Sequence, residues 1–344
     1  MTILVTGGAG YIGGHMGFAL HDAGEHFVVL DDMSNGVPYA VPPGVELVVG
    51  STGDYERVLR LIREHEVDTV LHFAAALISP DLYRRPLEYY RINAANSRAL
   101  LQAVADGGVD KFIYSATSAV YGNPKLNPVS EAADVAPTTP YGKSKLVTEH
   151  MLEDLSAVSD LRYVALRYFN VAGADPAARY GQSTYKTTLL VQIAVQCALG
   201  LRDGLQIFGA DYPTPDGTCI RDYLHVTDLI DAHRLALDHL RSGGGNLTLN
   251  VGYGHGFSVR EIIDTAKRVT GSDFPVREGP RRLGDPVEVV ADASLIRQKF
   301  GWDPKLDDIE TIVAHAHAWE LKLQEMRGTS AGAAATSPRQ APRK

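Results

Sequence analysis

Short apolar runs at residues 3–6, 27–31, 69–73, 111–115 and 163–167 recur through the first half of the chain. Each is rich in β-branched or aromatic side chains and too short for a helix, which marks it as a strand. Between them apolar residues fall at helical spacing, most plainly over 55–66 and 94–105. Continuous apolar strands alternating with helices predict an α/β fold on a doubly wound parallel sheet, because such a sheet is covered on both faces. The second half is less regular, with turn-rich stretches at 174–182 and 211–218, helices over 188–199 and 258–270, and another buried strand at 248–251. The pattern divides the chain into a first lobe, 1–170, rejoined by about 225–255, and a smaller mixed α/β lobe made of 171–224 and 256–326. From Arg327 to Lys344 the Gly/Ala/Ser/Thr/Pro composition with scattered basic residues has no period and predicts a disordered tail.

Composition narrows the partners. At 344 residues with 45% apolar content, the chain buries a full core and builds two closely packed lobes. A net charge of −8 and a pI near 5.8 argue against a nucleic-acid or membrane-surface partner, since polyanions select basic faces. Any phosphate site must be local. Cys197 and Cys219 are the only cysteines and lack ligand spacing, so a reduced cytoplasm is the expected compartment and no metal is expected. Met1-Thr2-Ile3-Leu4-Val5 runs straight into a glycine turn without a basic or long apolar segment, which predicts neither signal peptide nor anchor. His72 and His225 also lack ligand spacing and read as core or supporting residues.

Thr6-Gly7-Gly8-Ala9-Gly10-Tyr11-Ile12-Gly13 follows the first strand and opens a helix, the context in which a glycine motif carries meaning. Gly7, Gly10 and Gly13 allow a tight turn, close approach of a pyrophosphate and close packing of helix on sheet. Asp31 stands 18 residues after Gly13 at the end of the second strand, where a carboxylate accepts from the adenine ribose hydroxyls and repels a 2′-phosphate. Asp32 adds to that repulsion, so the predicted cofactor is NAD on a Rossmann-type sheet.

Tyr141 and Lys145 lie four residues apart, on one face of a helix, where an ammonium stabilises a phenolate and lowers the phenol's pKa from about 10. With the glycine turn, Tyr141-Gly142-Lys143-Ser144-Lys145 resembles the extended short-chain dehydrogenase/reductases. That resemblance places a third catalytic hydroxyl at Thr117, with Ser118 as competitor. The chain further resembles the UDP-glucose 4-epimerases from Ile3 to about Leu321, through His72-Phe73-Ala74-Ala75, Leu166-Arg167-Tyr168-Phe169-Asn170, Ile207-Phe208-Gly209 and Arg221-Asp222-Tyr223-Leu224-His225-Val226. The resemblance implies oxidation of a UDP-hexose at C4, rotation of the keto sugar and re-reduction, so that UDP-glucose and UDP-galactose interconvert. Sugar dehydratases and decarboxylases of the same fold carry carboxylates just after the catalytic hydroxyl, where this chain has Ser118 and Ala119. Those enzymes and a non-catalytic nucleotide-sugar sensor stay open as alternatives.

Residue by residue, the resemblance implies NAD contacts from Gly7, Gly10, Tyr11, Ile12, Gly13, Asp31, Asp32, Ser51, Thr52, Phe73, Ala74, Ala75, Asn93, Tyr141, Lys145, Tyr168 and Phe169. It implies substrate contacts from Thr117, Tyr141, Asn170, Leu190, Phe208, Arg221, Tyr223, Arg282, Asp285 and Val289. It also implies a homodimer through helices 94–105 and 143–156. Three positions depart from the pattern: Ser51 replaces an Asp that anchors adenine, and Leu77 and Leu189 replace polar residues near the ligands. They predict NAD held less tenaciously than is usual. Val289, where the family places a residue gating the sugar pocket, leaves room for a 2-acetamido group and predicts some turnover of UDP-N-acetylhexosamines.

Overall fold

The computed structural model describes residues 1–77, 84–184, 187–282 and 284–335, with side chains through 328. Seven strands form the central sheet: β1 (Thr2–Thr6), β2 (Phe27–Asp31), β3 (Glu46–Val49), β4 (Val67–His72), β5 (Lys111–Ser115), β6 (Arg162–Tyr168) and, much later in the chain, β11 (Leu247–Val251). Their order is β11-β6-β5-β4-β1-β2-β3, and every pair is parallel. Side chains alternate across the sheet, which explains the unbroken apolar runs: Ile3 and Val5 enter the core on one face and Leu4 that on the other. β3 escaped the sequence pattern because it is an edge strand with no fully buried residue.

The strand pairs of the smaller lobe are short. β7 (Asn170–Ala172) pairs with β10 (Tyr223–His225), and β8 (Leu205–Phe208) with β13 (Val276–Gly279). β9 (Ile220–Arg221) lies between β12 (Phe257–Ser258) and β14 (Glu288–Val289). One buried carboxylate ties these pieces to the first sheet: Asp222 accepts from the backbone N–H groups of Tyr253 and Gly254 at 3.0 Å and of Ala291 at 3.2 Å.

Two helices differ from the sequence expectation. The one read over 94–105 begins earlier, as Pro86–Tyr89, then widens into a π-helical stretch, Tyr90–Ala95, before the regular turns of Asn96–Asp106. The final helix, Ile309–Ala335, runs past Arg327 into the segment whose composition predicts a disordered tail, because the small residues there include alanines, the strongest helix formers. Residues 336–344 of that expected tail lie outside the described ones. Among the described residues no helix is long and apolar enough to cross a membrane.

Candidate active site

Parallel strands present ligands at their carboxyl ends, and the glycine turn stands at the end of β1. Gly7 has φ of +72°, and a Cβ there would lie 2.5 Å from the backbone nitrogen of Ala74, so the turn packs directly on the segment after β4. A Cβ on Gly13 would fall 2.2 Å from the Gly7 carbonyl oxygen. No side chain caps the helix Tyr11–Asp22 at Gly10, which leaves its first turn open to an anion. Asp31 is held from both oxygens, by Ala9 N–H at 3.0 Å and Met33 N–H at 2.8 Å, and burial pushes its carboxyl up. Each oxygen keeps a lone pair for a ribose hydroxyl. A bare backbone turn beside a fixed carboxylate fits the pyrophosphate and ribose of a dinucleotide.

Other predicted cofactor residues surround this turn in different ways. Asp32 is exposed and accepts from Ser34 N–H, while the Ser51 hydroxyl accepts from Gly53 N–H at 3.1 Å next to buried Thr52. Phe73, Ala74 and Ala75 continue β4 half-buried, and Leu77 is 57% exposed. Ile12 packs against the core, whereas the Tyr11 hydroxyl donates to the Gly173 carbonyl at 2.7 Å, joining the first helix to the segment after β7. Asn93 is buried with its amide engaged: Oδ1 accepts from Ala76 N–H at 2.7 Å and Nδ2 donates to Ser144 at 3.1 Å. The π-helical stretch frees the Asn93 carbonyl to accept from Ser97 at 2.6 Å and Thr148 at 3.0 Å. His72, pushed down to about 3 by burial and then by Lys145, bridges Thr6 at 2.7 Å and Ser97 at 3.0 Å.

The catalytic candidates meet beyond β5. Thr139 caps the helix Pro140–Ser156 by accepting from Gly142 N–H at 3.1 Å, with Pro140 at its first position, and so places Tyr141 in the first turn. Gly142 admits the helix against the preceding turn, since a Cβ would lie 2.6 Å from the Ala119 carbonyl oxygen. Thr117 opens that turn, Ser118–Tyr121, accepting from Ala119 N–H at 3.1 Å. The Thr117 hydroxyl lies near the Tyr141 phenol, and Ser118 follows it at the first position of the same turn.

Burial and the neighbouring Tyr168 drive the Tyr141 phenol well above its usual range, and the nearby Thr117 hydroxyl opposes them. Burial pushes Lys145 down to about 7, with Glu149 pulling the other way. The Lys145 ammonium sits 4.3 Å from the centroid of the Tyr114 ring, a contact that stabilises a buried cation. Without a ligand, burial therefore disfavours the charged form of each member of the pair. A further positive charge beside it shifts the balance toward phenolate and ammonium.

Sequence reading named Tyr168 but missed Ser115 and Tyr89. Ser115 and Tyr168 share a 2.6 Å hydrogen bond, and Tyr168 is pushed up to about 12 by burial. Tyr89 meets Tyr141 edge-on, with ring centroids 6.1 Å apart. Serine at the end of a buried strand was an available signal for the first. The second joins residues 52 positions apart and had no local signal.

The substrate candidates separate into two groups. Asn170, exposed at the start of β7, Arg221 and Phe208 line the smaller lobe's strand ends, with Arg282 and Asp285 exposed on the loop after β13. The Arg221 guanidinium is steered by the carbonyls of Ile220 and Pro286, each at 2.7 Å, and Arg282 lies 3.8 Å over the Phe208 ring. Among the described residues neither arginine has a carboxylate partner, although the chain is acidic overall. Tyr223, Phe169 and Val289 are buried instead, the last two packed with Val120, Tyr121, Val129 and Ala291. Leu190 begins the helix Leu190–Ala198 and packs on the main core, next to half-buried Leu189. Among the described residues no group of three or more His, Cys, Asp or Glu is arranged to hold a metal ion.

Known proteins share this arrangement. A UDP-glucose 4-epimerase of Azospirillum brasilense is 52% identical over 326 residues, 95% of this chain and 94% of that one. The crystal structure of UDP-glucose 4-epimerase from Brucella ovis in complex with NAD superposes with a TM-score of 0.88 at 41% identity, covering 92% of this chain and 97% of that one. For the enzyme from Bifidobacterium longum, solved in complex with NAD+ and UDP, the TM-score is 0.89 at 34% identity, covering 94% and 98%. Residues 3–252 match the family directly, and the chain belongs to the NAD dependent epimerase/dehydratase family.

Proposed function

We propose that this protein is an NAD-dependent 4-epimerase that interconverts UDP-glucose and UDP-galactose. The observation that carries the reading is buried Tyr141 one turn before buried Lys145, with Thr117 opening the turn on which Gly142 packs, and Ser118 and Ala119 following where a dehydratase needs carboxylates. When bound, NAD supplies the two-electron acceptor that converts the C4 carbinol to a ketone and returns the electrons after the sugar has turned over. Gly7, Gly10 and Gly13 would hold its pyrophosphate and Asp31 its adenine ribose, with Ser51 and Thr52 toward the adenine. Phe73 to Ala75, Asn93, Tyr168 and Phe169 would shape the nicotinamide end.

The chain's own residues manage one proton. Tyr141 takes it from the C4 hydroxyl, and Thr117 orients that hydroxyl while sharing the proton with the phenol. Lys145 stabilises the phenolate, and roughly three pKa units of depression correspond to about 4 kcal/mol. On re-reduction Tyr141 returns the proton, so no second acid or base is required. Arg221 and Arg282 bind the diphosphate, Phe208 the uracil, and Asn170 and Asp285 the remaining polar groups, because guanidiniums without a carboxylate partner favour an anionic ligand. Val289, buried beside Phe169, is smaller than a tyrosine at that position, which is the basis for extending the reaction to 2-acetamido sugars.

The enzyme acts in the cytoplasm as a homodimer. The helices Asn96–Asp106 and Pro140–Ser156 lie side by side, and Val147 on the second is 38% exposed, which supports a partner there. Incubation with UDP-galactose without added NAD, with products resolved, tests the function. UDP-glucose of unchanged mass is the expected product, and a product of lower mass would indicate a dehydratase or decarboxylase. Tyr141→Phe lowers turnover by several orders of magnitude while leaving the fold intact; an unchanged rate rejects the mechanism.

A further inference from the structure

The three hydroxyls of the site sit on three separate pieces of chain. Thr117 opens the turn Ser118–Tyr121, Tyr141 begins the helix Pro140–Ser156, and Tyr168 ends β6. Proton sharing between such groups requires hydrogen-bond distance, and a displacement of about an ångström is enough to lose it. Something must therefore fix these pieces against one another.

Arg167 touches all three. It is the neighbour of Tyr168 in β6, only 8% exposed, at a strand position where an apolar side chain is expected. Its Nε lies 3.2 and 3.1 Å from the two carboxylate oxygens of Glu149, and Nη2 donates to the second at 2.6 Å. Glu149 is on the catalytic helix, two turns beyond Tyr141 on the face that carries Lys145. Arg167 Nη1 donates to the Tyr121 hydroxyl at 3.1 Å, and its guanidinium lies 5.1 Å from that ring's centroid. Tyr121 closes the turn that Thr117 opens, and it donates onward to Asn250 Oδ1 at 2.7 Å in β11.

Stability does not account for burying this ion pair. Neutral side chains of similar volume commonly serve a fold equally well, whereas a forked guanidinium fixes direction and distance at two partners at once. We propose that Arg167 is the positioning residue of this site, holding Thr117 and Tyr141 at proton-sharing distance through Tyr121 and Glu149. The proposal rests on the 4-epimerase reading given above.

The test measures kcat and KM for UDP-galactose on the purified holoenzyme. Glu149→Gln combined with Arg167→Met removes both buried charges at similar volume, and Tyr121→Phe removes a single oxygen from the link. The double variant is expected to melt near the parent, retain its NAD and keep KM within twofold while kcat falls at least thirtyfold. Tyr121→Phe is expected to lower kcat about fivefold at unchanged KM, and it decides alone if the double variant does not fold. A kcat within twofold of the parent in Tyr121→Phe and in any folded double variant overturns the proposal. So does a loss that appears only as raised KM or lost NAD, which is how a merely structural pair behaves. Tyr141→Phe run in parallel separates the two levels: if it is inactive while the network variants are not, positioning alone fails; if it is fully active, the catalytic reading fails first.

Discussion

Replacing Lys145 with methionine separates what the site needs from what the fold needs. The side chain is 3% exposed, and burial pushes its ammonium from the usual 10.5 down to about 7 against the pull of Glu149. A drop of about 3.5 units, at roughly 1.4 kcal/mol each, means that the charge costs the native state about 5 kcal/mol relative to the unfolded chain. Between pH 7 and 10.5 the unfolded chain binds a proton that the native site has released, so this group makes stability rise with pH. Below about pH 7 the whole cost is present. Lys145→Met removes the charge at similar length, so the variant is expected to exceed the parent in stability by about 5 kcal/mol at pH 6 and about 3 kcal/mol at pH 8.5. Its turnover is expected to fall about a thousandfold, since roughly 4 kcal/mol of phenolate stabilisation is lost. Urea unfolding of both proteins at the two pH values, with kcat measured alongside, provides the assay. A stability difference of equal size at both pH values would refute the reasoning, because only a titrating ammonium makes that difference depend on pH.

Three further outcomes follow from the site's geometry. Gly7→Ala places a Cβ 2.5 Å from the Ala74 backbone at φ of +72°, so it should cost about 2 kcal/mol or more, and an unchanged melting temperature would contradict the packing described. Asp31→Asn removes the charge of the proposed ribose anchor while leaving an oxygen acceptor for one of the two N–H groups; NAD released on denaturing the purified protein should fall at least tenfold from the parent level. Equal NAD content in the two proteins would remove Asp31 from the site. The parent should turn over UDP-N-acetylgalactosamine, and Val289→Tyr should suppress that activity more than turnover of UDP-galactose; no activity of the parent on the acetamido sugar would end this reading.

The central sheet was legible because its strands are buried on both faces and so appear as unbroken apolar runs, as in Phe27–Asp31 and Lys111–Ser115. Where only an edge is present, as at Glu46–Val49, that signal disappears. The glycine turn was legible for a different reason: Gly7 and Gly13 answer to backbone contacts that no other residue permits, so sequence and geometry are locked together. The π-helical stretch at Tyr90–Ala95 left no such trace, because part of what holds it is tertiary: Thr148, 55 residues on, donates to the carbonyl of Asn93. The buried positions of Tyr223, Phe169 and Val289 were equally invisible, since a family resemblance names a position without saying which way its side chain packs.

Polar residues where an apolar pattern predicts core offered the signal that was available but unused. Arg167 interrupts the run of β6, Ser115 closes that of β5, and Glu149 follows Lys145 by one helical turn. A chain that minimised only its own free energy would have little reason to bury an ammonium, a guanidinium and a carboxylate within three turns of a phenol. Local rules of burial fail together here, around Tyr141, and a cluster of such failures is where a fold gives up stability for chemistry.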